Sequence, residues 1–204
     1  MKLETFLKAI IAGLFISIGG TVFLCVESKI LGALLFSVGL FAICTFKFNL
    51  FTGKVCYAIE NKASYIIDLL IIWLGNFVGT FLTAKLLSFT RLNIQEKAIT
   101  MCNTKLNDNL ISIFILSIFC NILIYLAVEG YKSNSHEIGK YLSILFGVVV
   151  FIMCGFEHCV ANMYYFSIAD VWSFKTLLYL LVMTLGNSVG GLLIPTIIKI
   201  TKKD

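Results

Sequence analysis

Apolar runs without charge, separated by short polar segments, dominate this chain. Six stand out, at 9–26, 30–46, 69–84, 110–128, 141–156 and 176–198. Each is long enough, or nearly so, to cross a bilayer as a helix, which takes about 20 residues. The first is not read as a signal peptide: its run exceeds an ordinary h-region, Glu4 sits in the n-region and no A-x-A site follows. The second and fifth runs are interrupted. The second stops at Lys47 and Asn49 and resumes weakly through Phe51-Thr52-Gly53-Lys54 to Ala58. The fifth stops at Glu157-His158 and runs uncharged again from Cys159 to Ala169. Both predict a half-helix, a polar break and a second half-helix. Lipid has no water to satisfy a broken backbone, so such breaks belong against protein or a wet cavity.

The two halves also repeat. Leu74-Gly75-Asn76-Phe77-Val78-Gly79 returns as Leu185-Gly186-Asn187-Ser188-Val189-Gly190, an offset of 111, and Cys44-x-Phe46 as Cys154-x-Phe156, an offset of 110. The reading is an all-α membrane protein. One transmembrane domain over 1–204 consists of two three-helix halves, about 1–95 and 100–204, with spans 2 and 5 broken. Three spans per half is odd, so the halves are inverted relative to each other. Inverted repeats with paired broken helices point to a transport site near the midplane.

Composition agrees. The chain is 59% hydrophobic and only 13% charged, with a mean hydropathy of +0.97, against roughly 25% charged in soluble domains. The net charge of +5 comes from cations lying between apolar runs. They read as topology signals, not as a nucleic-acid-binding face. With the N-terminus inside, Lys2, Lys8, Lys54, Lys62, Lys132, Lys140, Lys199, Lys202 and Lys203 face the cytoplasm. Lys29, Lys85, Arg91, Lys97, Lys105 and Lys175 face out, and Lys47 lies in a break. Nine against six favours both termini in the cytoplasm. The seven cysteines have neither zinc-site spacing nor a disulfide pattern and read as free thiols.

Few residues offer chemistry. His158 sits at a break inside an apolar element, where an ionisable group is costly and by default functional. Its alternative is a packing histidine bonded to a carbonyl. Imidazole can donate a hydrogen bond or a proton to an anion. At the other break, the Thr52 hydroxyl and the N–H groups of Phe51–Gly53 form an expected anion site at a half-helix N-terminus; the alternative is a capped turn. Lys105, at the opening of the fourth span, is either a snorkelling lysine or a fixed charge that draws anions inward. Glu157 caps, pairs or faces a neighbouring subunit. The small-xxx-small pairs Gly75/Gly79 and Gly186/Gly190 suit close helix packing, and Asn76 and Asn187 are expected to bond across helices near the breaks. No phosphate loop, His-x-x-x-His or nucleophile–base pair occurs, so an enzyme, a metal centre and a cofactor are not expected.

Leu50-Phe51-Thr52-Gly53 and Gly155-Phe156-Glu157-His158-Cys159-Val160-Ala161-Asn162-Met163 resemble the two signature breaks of the formate–nitrite transporter family. Trp73-x-Gly75-Asn76-x-x-Gly79 and Gly186-Asn187-x-x-Gly190-Gly191 resemble its third and sixth spans. The short N-terminus and the overall sequence are most similar to its hydrosulfide-channel branch. The resemblance implies an aquaporin-like protomer, a homopentamer with one pore per protomer, and a bacterial inner-membrane location. It implies pathway roles for His158, Thr52 and Lys105, helix-terminus roles for Phe51, Gly53 and Asn162, and apolar constrictions at Phe36, Leu40, Leu50 and Phe151. Asn49 departs from it, since many members carry Glu there. The expected function is a passive channel for a small inorganic or one-carbon anion, hydrosulfide first, formate and nitrite next. Membrane lipid is the surrounding partner. A neutral-solute channel of aquaporin type is the alternative, although its Asn-Pro-Ala pairs are missing and the only proline is Pro195.

Overall fold

A computed structural model describes residues 2–201; Lys202 and Lys203, counted above as cytoplasmic charges, lie outside the described residues. Nine α-helices are described: α1 Lys2–Cys25, α2 Lys29–Phe46, α3 Phe51–Val55, α4 Tyr65–Ser88, α5 Gln95–Leu106, α6 Leu110–Ser133, α7 Glu137–Cys154, α8 Cys159–Ala169 and α9 Phe174–Thr201. Six of them, α1, α2, α4, α6, α7 and α9, are long and apolar enough to cross a membrane. The spans therefore follow the apolar runs, extended at their polar ends. Leu34, Leu35, Val38 and Phe41 on α2, and Leu181, Leu185 and Val189 on α9, are exposed, as a lipid-facing surface requires. The N-terminal end of α1 and the C-terminal end of α9 share one side of the bundle, called here the terminus side.

Both broken elements end their first helix on a left-handed residue, Lys47 (φ 57°) after α2 and Gly155 (φ 70°) after α7. The chain then turns inward, extended, into the short helices α3 and α8. The two turns are built alike. Phe48 N–H donates to Ile43 O and Phe156 N–H to Phe151 O, at 3.0 and 2.9 Å. Asn49 N–H donates to Lys8 O of α1, and Glu157 N–H to Leu116 O of α6. Phe48 stacks on Phe15 and Phe156 on Phe119, with ring centroids 5.7 and 5.6 Å apart.

Two asparagines hold these breaks. Asn76 of α4 accepts from Phe51 N–H at 2.8 Å and donates to Asn49 O and Ala9 O. Asn187 of α9 accepts from Cys159 N–H at 2.8 Å and donates to Glu157 O and Ser117 O. Residues 9, 47, 49 and 51 thus map onto 117, 155, 157 and 159, a constant shift of 108. On the third span of each half, 73, 76 and 79 map onto 184, 187 and 190, a shift of 111. The Cys-x-Phe match at 110 is therefore not the structural register; Cys154 is the mate of Phe46. Trp73 Nε1 donates to Thr184 Oγ1 at 3.1 Å, joining mates directly where the two halves meet.

The glycines explain how the spans come close enough for this. A Cβ on Gly79 would strike the backbone of Ile10, and one on Gly190 that of Ile118. Ile10 and Ile118 are themselves mates, so α1·α4 and α6·α9 are one packing solution used twice. One element escaped the apolar pattern. The helix α5 between the halves is polar along much of its length, buries only Ala98 and Cys102, and packs on α8.

Asn187→Leu strands Cys159 N–H and Glu157 O in an apolar site. We expect it to cost about 3 kcal/mol or more, read as a lower melting temperature in detergent. Gly190→Val should destabilise by about 1–3 kcal/mol through overpacking, checked in the same melt.

Candidate functional site

The breaks bring His158 and Thr52 together. His158 is the N-cap of α8, and its Nδ1 accepts from Ala161 N–H at 3.0 Å. The lone pair is therefore on Nδ1, and the neutral ring carries its proton on Nε2. Nε2 lies 2.9 Å from Thr52 Oγ1, so the imidazole N–H donates to the hydroxyl. Thr52 is itself anchored: its carbonyl accepts from Asn121 Nδ2 at 3.0 Å and from Cys56 Sγ. Among the described residues its hydroxyl hydrogen has no acceptor, so it is available as a donor, polarised by the His158 N–H.

Apolar side chains frame this pair. Phe151 stacks on the His158 ring at 5.8 Å and meets Phe36 edge-on at 6.0 Å. Leu40 lies one turn after Phe36 on α2, and Leu50 is the N-cap of α3. All four constriction candidates are buried. On the side away from the termini, a cavity of about 300 Å³ reaches Phe36, Phe151 and His158 and is walled by Lys105, Glu157 and Asn162.

Lys105 stands at this cavity, but not as expected. It belongs to the last turn of α5, not to the start of the fourth span. Its charge is not free: Lys105 Nζ lies 2.7 Å from Glu157 Oε2, both side chains being largely buried. The same oxygen accepts from Asn162 Nδ2 at 2.8 Å. Asn162 Nδ2 also donates to His158 O, and among the described residues its Oδ1 has no partner. Of the N–H groups of Phe51–Gly53, expected to form an anion site, that of Phe51 is held by Asn76, and α3 has only five residues.

Of the residues expected from the sequence, the fold brings Phe36, Lys105, Phe151 and His158 to one cavity, and Thr52 to His158. The sequence reading left the ion pair of Glu157 open among several roles. The available signal was two opposite charges flanking an apolar core, but nothing in the sequence says that α5 folds back to join them.

A family model described as formate/nitrite transporter matches residues 2–201. The chain belongs to the formate/nitrite transporter family. Its six-span, aquaporin-like fold with inverted halves is the fold of solved relatives. A structure described as a pentameric formate channel with formate bound superposes with a TM-score of 0.85 at 25% identity, covering 98% of this chain and 96% of that one. The formate channel FocA of Haemophilus influenzae is 28% identical over 200 residues, 80% of this chain and 70% of its own. The formate-nitrite transporter of Plasmodium falciparum is 27% identical over 233 residues, 95% and 75% of the two chains. Against the formate channel FocB of Escherichia coli, 25% identical, this chain spans 65% of the relative's length.

His158 also carries a structural duty. His158→Phe removes the acceptor of Ala161 N–H and should cost about 1–2 kcal/mol. His158→Asn can still cap and should lose less. Thermal melts of the two variants side by side check this.

Proposed function

We propose that this family member is a passive channel for the small monovalent anion of a weak acid, assembled as a homopentamer with one pore per protomer. We place both termini in the cytoplasm of a bacterial cell. The pentameric formate channel of the same fold supports the assembly. The observation that carries the function is the Thr52–His158 bridge: a neutral hydrogen-bond donor set between buried apolar constrictions, beside an ion pair that cancels itself.

Such a centre does not bind a bare anion as a lysine would. An ion entering between Phe36 and Phe151 loses water and finds one polarised hydroxyl in exchange. Desolvation costs several kcal/mol for a charge and favours the neutral form of any group that can take a proton. A weak acid escapes the cost by crossing protonated, whereas chloride has no such route. His158 is not the donor of that proton, because a neutral imidazole holds its Nε2 hydrogen far too tightly and Nδ1 is occupied as a cap. The proton comes from solvent in the vestibule. Thr52 then donates to the carbonyl, carboxylate or sulfur atom of the solute as it passes. The partial positive charge at the N-terminus of α8 eases the approach.

Hydrosulfide, the ion of the branch that the sequence resembles, and formate, the ion in the relatives' names, both meet this requirement. Nitrite also does so, more weakly because its acid is stronger. Proteoliposomes of the purified protein given hydrosulfide, formate, nitrite and chloride test the proposal. The weak-acid anions should enter, faster as external pH falls, and chloride should be slower by tenfold or more. Chloride flux equal to formate flux, or water and glycerol flux without either anion, contradicts it. Thr52→Val keeps the shape of the site and removes its hydroxyl, and should lower formate flux about tenfold.

A further inference from the structure

The register between the two halves shows where they differ. Under the shift of 108, Glu157 is the mate of Asn49, and Asn162 is the mate of Lys54. On the far side the pair is acid and amide, with Asn162 Nδ2 on Glu157 Oε2 and the remaining charge met by Lys105. On the terminus side the pair is amide and ammonium. Asn49 Nδ2 turns away to Thr5 O.

The position of Lys54 gives this difference a consequence. It follows Leu50 by one helical turn, its N–H donating to Leu50 O at 2.9 Å. Cys44, within its electrostatic reach, follows Leu40 by one turn on α2. Lys54 therefore stands one turn past the Leu40–Leu50 constriction, toward the termini. It is half-buried, and among the described residues no carboxylate lies within 4 Å of its ammonium. The other charges it feels are Lys8 of α1 and Lys132 of α6, both cations. Those two are neutralised locally, Lys8 by Glu4 at 2.7 Å and Lys132 by Glu129 at 3.7 Å. On the far side, Lys29 reaches the vestibule only from its exposed rim, bonded to Met153 O.

We propose that Lys54 is an anion-recruiting residue of the terminus-side mouth, a positive charge with no counter-charge among the described residues that gathers small monovalent anions just outside the inner constriction. The proposal rests on the channel reading above. Partly shielded by low-dielectric walls, this charge raises the local anion concentration without touching the central donors. It acts on solute arriving from the terminus side, since Leu40, Leu50 and the neutral centre separate it from the other vestibule. A passive channel keeps its equilibrium, so the effect is on the half-saturating concentration from one side.

The test compares formate flux from each side in right-side-out and inverted membrane vesicles from cells lacking their own formate channels. Lys54→Gln should raise the half-saturating formate concentration about fivefold from the terminus side and leave it unchanged from the far side. Lys54→Arg should keep the wild-type value. Asn49→Glu, which restores on this side the acid that Glu157 provides on the other, should shift the concentration in the same direction as Lys54→Gln. It also serves as the independent variant should Lys54→Gln fail to assemble. Unchanged half-saturation in the assembled variants, or an equal shift from both sides, overturns the role of Lys54 while the channel reading stands. Wild-type vesicles that pass no weak-acid anion overturn both.

Discussion

A backbone broken inside a membrane must find every hydrogen-bond partner within the protein, and the rest of this structure follows from how that demand is met. At each break an N–H and a C=O two residues apart are turned out of the helix. Left unpaired in hydrocarbon, each would cost several kcal/mol. Asn76 and Asn187 satisfy both with one side chain and add a third bond to the neighbouring span. An amide is suited to this because it donates and accepts at once. For the amide to reach, α4 must lie almost on α1 and α9 on α6, which is why Gly79 and Gly190 meet backbone where a side chain would stand.

With the breaks fixed, the centre becomes a site of donors that need no ionisation. His158 cannot serve as helix cap and as imidazolium in one geometry, because Nδ1 accepts the Ala161 N–H. Its remaining hydrogen reaches Thr52. Lys105, which looked like a free attracting charge, is turned into one half of a pair by Glu157 and Asn162. In the channel we propose, solutes are discriminated by the ease of shedding charge at an apolar constriction, with hydrogen bonds restoring part of the lost hydration.

The sequence revealed the spans, both breaks and the doubled Leu-Gly-Asn motif because each is a local pattern of apolar residues or of Gly beside Asn. His158 and Thr52 were legible for the same reason: polar residues interrupting apolar runs. The partner of Lys105 was not. It depends on α5, a polar helix with no membrane signature, folding back over α8, and on the side chains 52 residues apart that this brings within 2.7 Å. The register of the repeat at the second span also differs from the one its side chains suggest. Identity of Cys and Phe suggested a shift of 110, whereas backbone hydrogen bonds and the left-handed residues Lys47 and Gly155 set 108. Conformation is conserved between the halves where side chains are not, and the contrast of Asn49 with Glu157 and of Lys54 with Asn162 emerges only in that register.

The central claim is that His158 is neutral and hydrogen-bonded through both ring nitrogens. Solid-state nitrogen NMR on the protein in bilayers, labelled at histidine, addresses it directly. Only His136 and His158 are present, and replacing His136 with Gln isolates the second. At pH 7 the account predicts one protonated ring nitrogen, Nε2, and one unprotonated nitrogen, Nδ1, accepting a hydrogen bond. Two protonated ring nitrogens at His158, or a proton on Nδ1 with Nε2 bare, would contradict it.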